Sequence, residues 1–255
     1  MTSHYKDAFA NRRARFLTWL IRLFYPHKVL DVPQTGDDPI VLVSNHNCIY
    51  GPIVASAFIP IRTSPWVSCK MLNYTDAKIE TLRGLIRMGW PKWIANPLAS
   101  VITKLVIAMI HAKEPIPVYN DSGTLTTMRN SLKAMQDGRN ILIFPECPQS
   151  SGWDYFQDDD VAEFHDGFVY LAHLHYRKTG KPLKFYALYC NKNERTVTFS
   201  EAVTYQPQNG IDNERVRVAR VLYEKMKALR DLGAAKSSDV VCELPVTESM
   251  LSTPA

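Results

Sequence analysis

Two predicted strands are each followed by a side chain that could take part in acid–base chemistry. The apolar run at 39–44 is followed by His46, and the run at 140–144 by Glu146. Parallel strands end at a common edge of their sheet, so a histidine and a carboxylate placed there can line one pocket. Histidine would then act as general base and the glutamate as a positioning or hydrogen-bonding group. A purely structural role for His46 stays open from these residues alone.

Three short motifs occur in a characteristic order along the chain. They are Asn-His at 45–46, Ile-Pro-Val at 116–118 and Phe-Pro-Glu at 144–146. In order and spacing they resemble the glycerolipid acyltransferase superfamily, typified by lysophosphatidic acid acyltransferases, whose motifs read NHxxxxD, IPVxR and FPEGTRS. The resemblance spans about residues 40–205.

This resemblance implies acyl transfer from an acyl-CoA or acyl carrier protein thioester to a hydroxyl of a lysolipid or glycerol-type acceptor. His46 would remove the hydroxyl proton so that the oxygen attacks the thioester, and Glu146 would be the second catalytic residue. No metal and no tightly bound cofactor is implied. Candidate substrate-binding residues at or near the motifs are Asn45, Lys70, Val118, Asn120, Phe144, Pro145 and Cys147.

The aspartate of the first family motif is missing, because its position holds Gly51. In serine proteases, disabling the aspartate that orients the catalytic histidine lowers turnover by about 10⁴. Another group would therefore have to orient His46. Glu146 and Asp121 follow predicted motif strands and are the candidates.

Two arginines of the family motifs are also missing. Asn120 stands at the arginine position of the second motif, and Cys-Pro-Gln-Ser at 147–150 replaces Gly-Thr-Arg-Ser. Arginine holds phosphate through paired hydrogen bonds, so these losses argue against a glycerol phosphate acceptor. Lys70 and Arg129 are cations that could compensate.

Two functions are compatible with these motifs. The first is an acyltransferase with a different acceptor and a different group orienting His46, and the second is a non-catalytic lipid-binding protein of the same fold. The retained His46 and Glu146 favour the enzyme, whereas Gly51 and Asn120 favour the second function. We favour the enzyme, because a chain without activity has no reason to keep the base.

The hydrophobic pattern predicts an α/β fold with a largely parallel central sheet flanked by helices, preceded by an N-terminal amphipathic helix. Predicted strands lie at 39–44, 66–69, 116–119, 140–144, 183–190 and 195–199. Predicted helices lie at 9–24, 52–58, 76–88, 99–112, 123–137, 161–178 and 212–231.

The domain prediction has three parts: a basic amphipathic helix within 1–30, an acyltransferase-like α/β domain at 31–233 and a mobile tail at 234–255. The net charge of +5 lies entirely within residues 1–30, which contain six basic residues and one acidic residue. A basic amphipathic helix with aromatic side chains can lie in the headgroup region of a bilayer. It can equally pack its apolar stripe on the protein core, and the pattern leaves both interpretations open.

Composition excludes several other classes. The 255 residues are 46% apolar and 22% charged, as in a globular protein, and the five cysteines contain no CxxC pair. The excess of positive charge lies in one terminal segment rather than along a face or groove, which argues against a nucleic-acid partner. The longest stretch without Asp, Glu, Lys or Arg, at 39–61, contains three prolines and is a poor membrane span. We therefore expect a cytoplasmic protein, peripheral on the inner face of the membrane, without a spanning helix.

Overall fold

A computed structural model describes residues 12–34, 36–47, 50–87, 89–119, 123–146 and 161–241. Its strands are β1 (Lys28–Leu30), β2 (Ile40–Ser44), β3 (Thr63–Ser68), β4 (Ile116–Val118), β5 (Asn140–Ile143), β6 (Lys184–Asn191), β7 (Thr196–Phe199) and β8 (Val203–Thr204). They form one sheet in the order β1-β7-β6-β2-β5-β3-β4, with β8 also paired to β6. All pairs from β6 to β4 are parallel, whereas β7 and β8 run antiparallel to β6. The predicted fold class is confirmed.

Helices cover both faces of this sheet. They are α1 (Arg12–Phe24), α2 (Tyr50–Phe58), α3 (Cys69–Leu72), α4 (Tyr74–Arg87), α5 (Lys92–Ala112), α6 (Thr124–Gln136), α7 (Tyr170–Thr179) and α8 (Ile211–Val241). Successive side chains of β2 alternate between the faces. Val41 and Val43 pack with α6, α7 and α8, whereas Ile40 and Leu42 pack with α2. Because both faces are covered, all five residues of β2 are buried, and the strand is apolar from Ile40 to Val43.

The chain leaves neighbouring strands β2 and β5 in opposite directions. After β2 it enters α2, whose Val54 and Ala55 pack on one face of the sheet. The next helix described after β5 is α7, whose Leu171 and Ala172 pack on the other face. A crevice forms at the carboxyl edge of a parallel sheet where successive crossovers diverge in this way. His46 and Glu146 follow β2 and β5 and therefore flank this crevice.

Two predicted helices have different bounds because other interactions decide them. The helix predicted at 161–178 begins only at Tyr170, after a 3₁₀ turn, because Phe164 forms a β-bridge with Glu146. The helix predicted at 99–112 begins already at Lys92 and includes Pro97, since Ala95 and Ala99 bury against Leu85 of α4.

The last predicted helix is longer in the structure and extends into the segment predicted as a mobile tail from residue 234. Helix α8 continues to Val241, ten residues beyond the predicted helix end at 231. Gly233 costs a helix only about 1 kcal/mol relative to alanine, and two alanines with the highest helix propensity follow it. The remainder of that tail, 242–255, lies outside the described residues, as do residues 1–11 of the N-terminal segment.

Helix α1 confirms a helix near the N-terminus, and its apolar side chains divide between the surface and the core. The apolar residues Phe16 and Phe24 are exposed, together with Trp19 and Leu23. Arg22 points inward and donates to the carbonyl oxygen of Ala57 at 2.8 Å. The predicted apolar stripe is therefore divided, because Phe16 and Phe24 are exposed whereas Ile21 packs on the core cluster.

Within the described part of the chain, one helix, α5, is long and apolar enough to cross a membrane. Helix α5 does not stand out as a stretch without charged residues, because Lys92 and Lys104 interrupt its apolar sequence. The expectation of a chain without a spanning helix stays a prediction, because α5 meets the criterion by length and composition alone. A large part of α5 nevertheless packs on α4, as described above.

Candidate functional site

A direct hydrogen bond joins the two predicted catalytic residues. The main-chain N–H of His46 donates to Oε2 of Glu146 at 2.8 Å, across 100 residues of sequence. The histidine ring also meets Phe144 edge to face, with ring centroids 5.6 Å apart. The glutamate therefore fixes the backbone from which the imidazole projects, and Phe144 restricts the ring itself.

Asn45 continues the pairing of β2 with β6 beyond the end of β2. Its side-chain oxygen accepts from the main-chain N–H of Cys190 at 2.8 Å, and its amide nitrogen donates to the carbonyl oxygen of Cys190 at 3.3 Å. The amide group thus imitates a backbone peptide and is almost completely buried. Its predicted role was substrate binding, whereas these bonds anchor the loop that carries His46.

Gly51 is a point of close backbone approach. A Cβ atom built on Gly51 would lie 2.2 Å from the carbonyl oxygen of Asn45 and 2.6 Å from that of His46. The N–H of Gly51 donates to the same His46 carbonyl oxygen at 3.1 Å. The tight turn therefore leaves no space for a side chain at the position where the resembled family has its aspartate.

Tyr50 secures the start of α2 from the other side of the loop. Its hydroxyl donates to the carbonyl oxygen of Asn191 at 2.9 Å and lies 2.6 Å from Nε2 of His27. Nδ1 of His27 lies 2.9 Å from the carbonyl oxygen of Tyr25 and donates to it. Burial lowers the pKa of His27, and the nearby Arg195 acts in the same direction. The network connects β1, α2 and β6 around the His46 loop.

The other predicted substrate-binding residues lie along the same carboxyl edge. Phe144 and Pro145 follow β5, Lys70 is exposed on α3 directly after β3, and Val118 ends β4. In the sheet order, β3 and β4 lie one and two strands beyond β5. Asn120, Cys147 and the candidate orienting residue Asp121 fall outside the described residues. The structure thus joins His46 to Glu146 by a bond and places Lys70 and Val118 farther along the edge.

A buried thiol lies beneath the site. Sγ of Cys190 lies 3.8 Å from the Ser44 hydroxyl and 3.9 Å from the Gly51 carbonyl oxygen. Burial raises its pKa to about 12, although the hydrogen bond with Ser44 partly opposes that effect. A nucleophilic cysteine needs a lowered pKa, so Cys190 has a packing role. Among the described residues, no group of three His, Cys, Asp or Glu side chains could hold a metal ion.

The sequence predicted the residues that would react, but it did not predict the contacts that hold the His46 loop. The glycine followed by Pro52, only five residues after His46, was the available signal of a tight turn. The pairing of Asn45 with Cys190 had no local signal, because it depends on the register between β2 and β6.

We expect Glu146→Ala to lower the free energy of unfolding by roughly 1.5–3 kcal/mol, because the buried main-chain N–H of His46 loses a charged acceptor. Glu146→Gln keeps an acceptor oxygen and should cost about 1 kcal/mol or less. Urea unfolding followed by circular dichroism measures both values. Equal losses in the two variants would show that the carboxylate charge, rather than this hydrogen bond, stabilises the loop.

Comparison with known proteins gives a distant likeness among solved structures. No family model matches the chain, and no curated protein matches it. Among solved structures, the chain is similar to the 1-acyl-sn-glycerophosphate (LPA) acyltransferase PlsC from Thermotoga maritima. The two are 12% identical with a TM-score of 0.46, and the match covers 85% of this chain and 79% of that chain. Because both values are low, the residues of the site carry the functional proposal.

Proposed function

We propose that the chain is an acyltransferase that transfers a fatty acyl group from a thioester to a hydroxyl of a lysolipid or glycerol-type acceptor. The supporting observation is the hydrogen bond between the His46 loop and Glu146 at the crevice between β2 and β5. This bond joins the residues of two motifs that resemble the same acyltransferase superfamily. The resemblance and the geometry therefore point to the same two side chains.

In the proposed reaction, a ring nitrogen of His46 takes the proton from the acceptor hydroxyl. The oxygen attacks the thioester carbonyl carbon, a carbon–oxygen bond forms, and the carbon–sulfur bond breaks. The thiolate leaves and takes the proton back from the imidazolium, so the histidine is regenerated. Glu146 acts as a positioning residue, because its carboxylate holds the His46 main chain.

The donor is an acyl-CoA or an acyl carrier protein thioester, and the acceptor is uncharged or weakly anionic. The absence of both motif arginines supports this choice of acceptor, since Asn120 and the segment 147–150 supply no guanidinium. Lys70 is an exposed cation at the same edge and would interact with the donor or the lipid headgroup. The protein would work at the inner face of the cell membrane, where such substrates are found.

A second candidate function is lipid binding without turnover. The observation that favours it is the backbone closure around Gly51, which leaves no room for the aspartate of the family motif. Without an oriented imidazole, the crevice would bind an acyl chain or lysolipid and release it unchanged.

Thiol release from acyl-CoA or acyl carrier protein, with lysolipids and uncharged acylglycerols in liposomes, distinguishes the two functions. We expect acceptor-dependent release that falls at least a hundredfold in His46→Ala, the lower range for loss of a general base. The matched control is His111→Ala, an exposed histidine on α5. Binding of lysolipid with no thiol release from either donor type would support the non-catalytic function instead.

A further inference from the structure

The outward face of α5 is apolar along its length. Trp93 is 78% exposed and Val101 is 66% exposed, and Leu105 follows them on the same stripe. Pro97 and Ala108 are also exposed and complete the spacing of three to four residues. A helix on the surface of a water-soluble protein normally turns charged and polar side chains outward. Helix α5 instead presents this apolar stripe outward, beside the exposed Asn96 and Lys104.

The inward face of α5 is held on the protein. Ala95 and Ala99 pack in a cluster with Leu85 of α4, and the Thr103 hydroxyl donates to the Thr81 hydroxyl at 3.1 Å. These contacts fix α5 along α4 and leave its outer stripe as a fixed surface. This arrangement fits a helix that lies in the membrane interface with one face in contact with lipid. It does not fit a helix surrounded by lipid on all sides.

Helix α1 adds a second outward apolar stripe beside α5, on which it packs. Phe16, Trp19, Leu23 and Phe24 are all exposed, and the rings of Phe16 and Trp19 stack at 5.9 Å. The inward Arg22 holds this orientation, because its guanidinium binds the Ala57 carbonyl oxygen.

The charges on these two helices have one sign. Neither α1 nor α5 contains an aspartate or glutamate. Apart from the inward Arg22, their basic residues are Arg12, Arg13, Arg15, Lys92 and Lys104. Large apolar side chains together with basic residues and no acidic ones match an anionic lipid surface, where cations meet headgroups and aromatic rings enter the acyl boundary.

We propose that the outer stripes of α5 and α1 form a docking face for anionic phospholipid membranes, with α5 lying flat in the interface. This extends the predicted membrane contact of residues 9–24 to a second, longer helix. The docking face does not depend on the proposed reaction, because a lipid-binding protein without turnover would use the same surface.

Vesicle flotation tests the docking face directly. Phosphatidylcholine vesicles with and without phosphatidylglycerol are mixed with wild type and with the double variant Val101→Asp/Leu105→Asp. We expect wild type to float with the anionic vesicles, and the double variant to bind them at least tenfold more weakly. The matched control is Val216→Asp, a substitution at a 61% exposed valine on α8, which should leave binding unchanged.

Several outcomes would overturn the docking face. Equal binding by wild type and the double variant would remove α5 from the contact, as would failure of wild type to bind anionic vesicles. A wild-type dimer that dissociates in the double variant would show that a second copy of the chain covers the stripe. Retention in vesicles after alkaline carbonate extraction would show that α5 spans the bilayer. Circular dichroism of each variant confirms that the fold is intact.

Discussion

Gly51→Asp is expected to lower the free energy of unfolding by roughly 4 kcal/mol or more. The first atom of the new side chain would lie 2.2 Å from the carbonyl oxygen of Asn45 and 2.6 Å from that of His46. Both obstacles are backbone, so relief requires the loop to move. Overpacking alone costs about 1–3 kcal/mol or more, and a carboxylate pressed against carbonyl oxygens adds an unfavourable polar contact.

The same substitution tests whether the family motif can be restored in this chain. We expect Gly51→Asp to remain no more active than wild type, because the displaced loop also carries His46. Urea unfolding of Gly51→Asp, Gly51→Ala and Gly84→Ala separates the causes. Gly84 lies on α4 with no atom within 4 Å of a new Cβ, so Gly84→Ala should stabilise by up to about 1 kcal/mol. A Gly51→Asp protein with wild-type stability would contradict the steric explanation.

Lys113→Met is expected to stabilise the protein at pH 6 by on the order of a few kcal/mol. Lys113 is only 3% exposed, and burial, with Arg22 as a smaller cause, lowers its pKa from 10.5 to about 7. Below pH 7 both the folded and the unfolded chain hold the proton, so the folded state bears the cost of desolvating the ammonium. Methionine has a similar length and carries no charge to bury.

The numbers of protons that Lys113 binds in the folded and unfolded states determine how stability changes with pH. Between pH 7 and about 10.5 the unfolded chain binds more protons at Lys113 than the folded chain, so stability contributed by this residue rises with pH. In Lys113→Met that rise should disappear. Urea unfolding at pH 6, 8 and 9.5 measures this rise. The control is Lys104→Met, at an exposed lysine on α5, the helix that ends one residue before Lys113, and it should change stability by about 0.5 kcal/mol or less. A pH slope unchanged from wild type in Lys113→Met would exclude a buried ammonium.

The strands of the sheet centre could be predicted because their burial leaves a local pattern. β2 and β5 are short runs of branched apolar residues, and each carries that signal within its own sequence. β1 and β8, which have three and two residues, were missed. Their identity as strands comes from pairing with β7 and β6, and no such partner can be read from a few residues.

The site was predictable where it depends on strand ends and unpredictable where it depends on contacts between distant segments. The approach of His46 and Glu146 follows from two parallel strands ending at one edge. The sequence named Glu146 as a group that could orient the histidine, and the structure shows its carboxylate on the His46 main chain. The missing aspartate at Gly51 looked like a lost function, whereas the local backbone shows a steric requirement for glycine.

The contacts that hold the His46 loop also determine when it can form during folding. Glu146 reaches the loop across 100 residues, and Cys190 reaches Asn45 across 145. Closing such long segments is slow, because their entropy is lost before the contacts are gained. A nascent chain therefore cannot complete the loop until β6 has left the ribosome. Until then, the apolar strand β2 lacks its β6 partner, and an unpaired apolar strand is prone to aggregation.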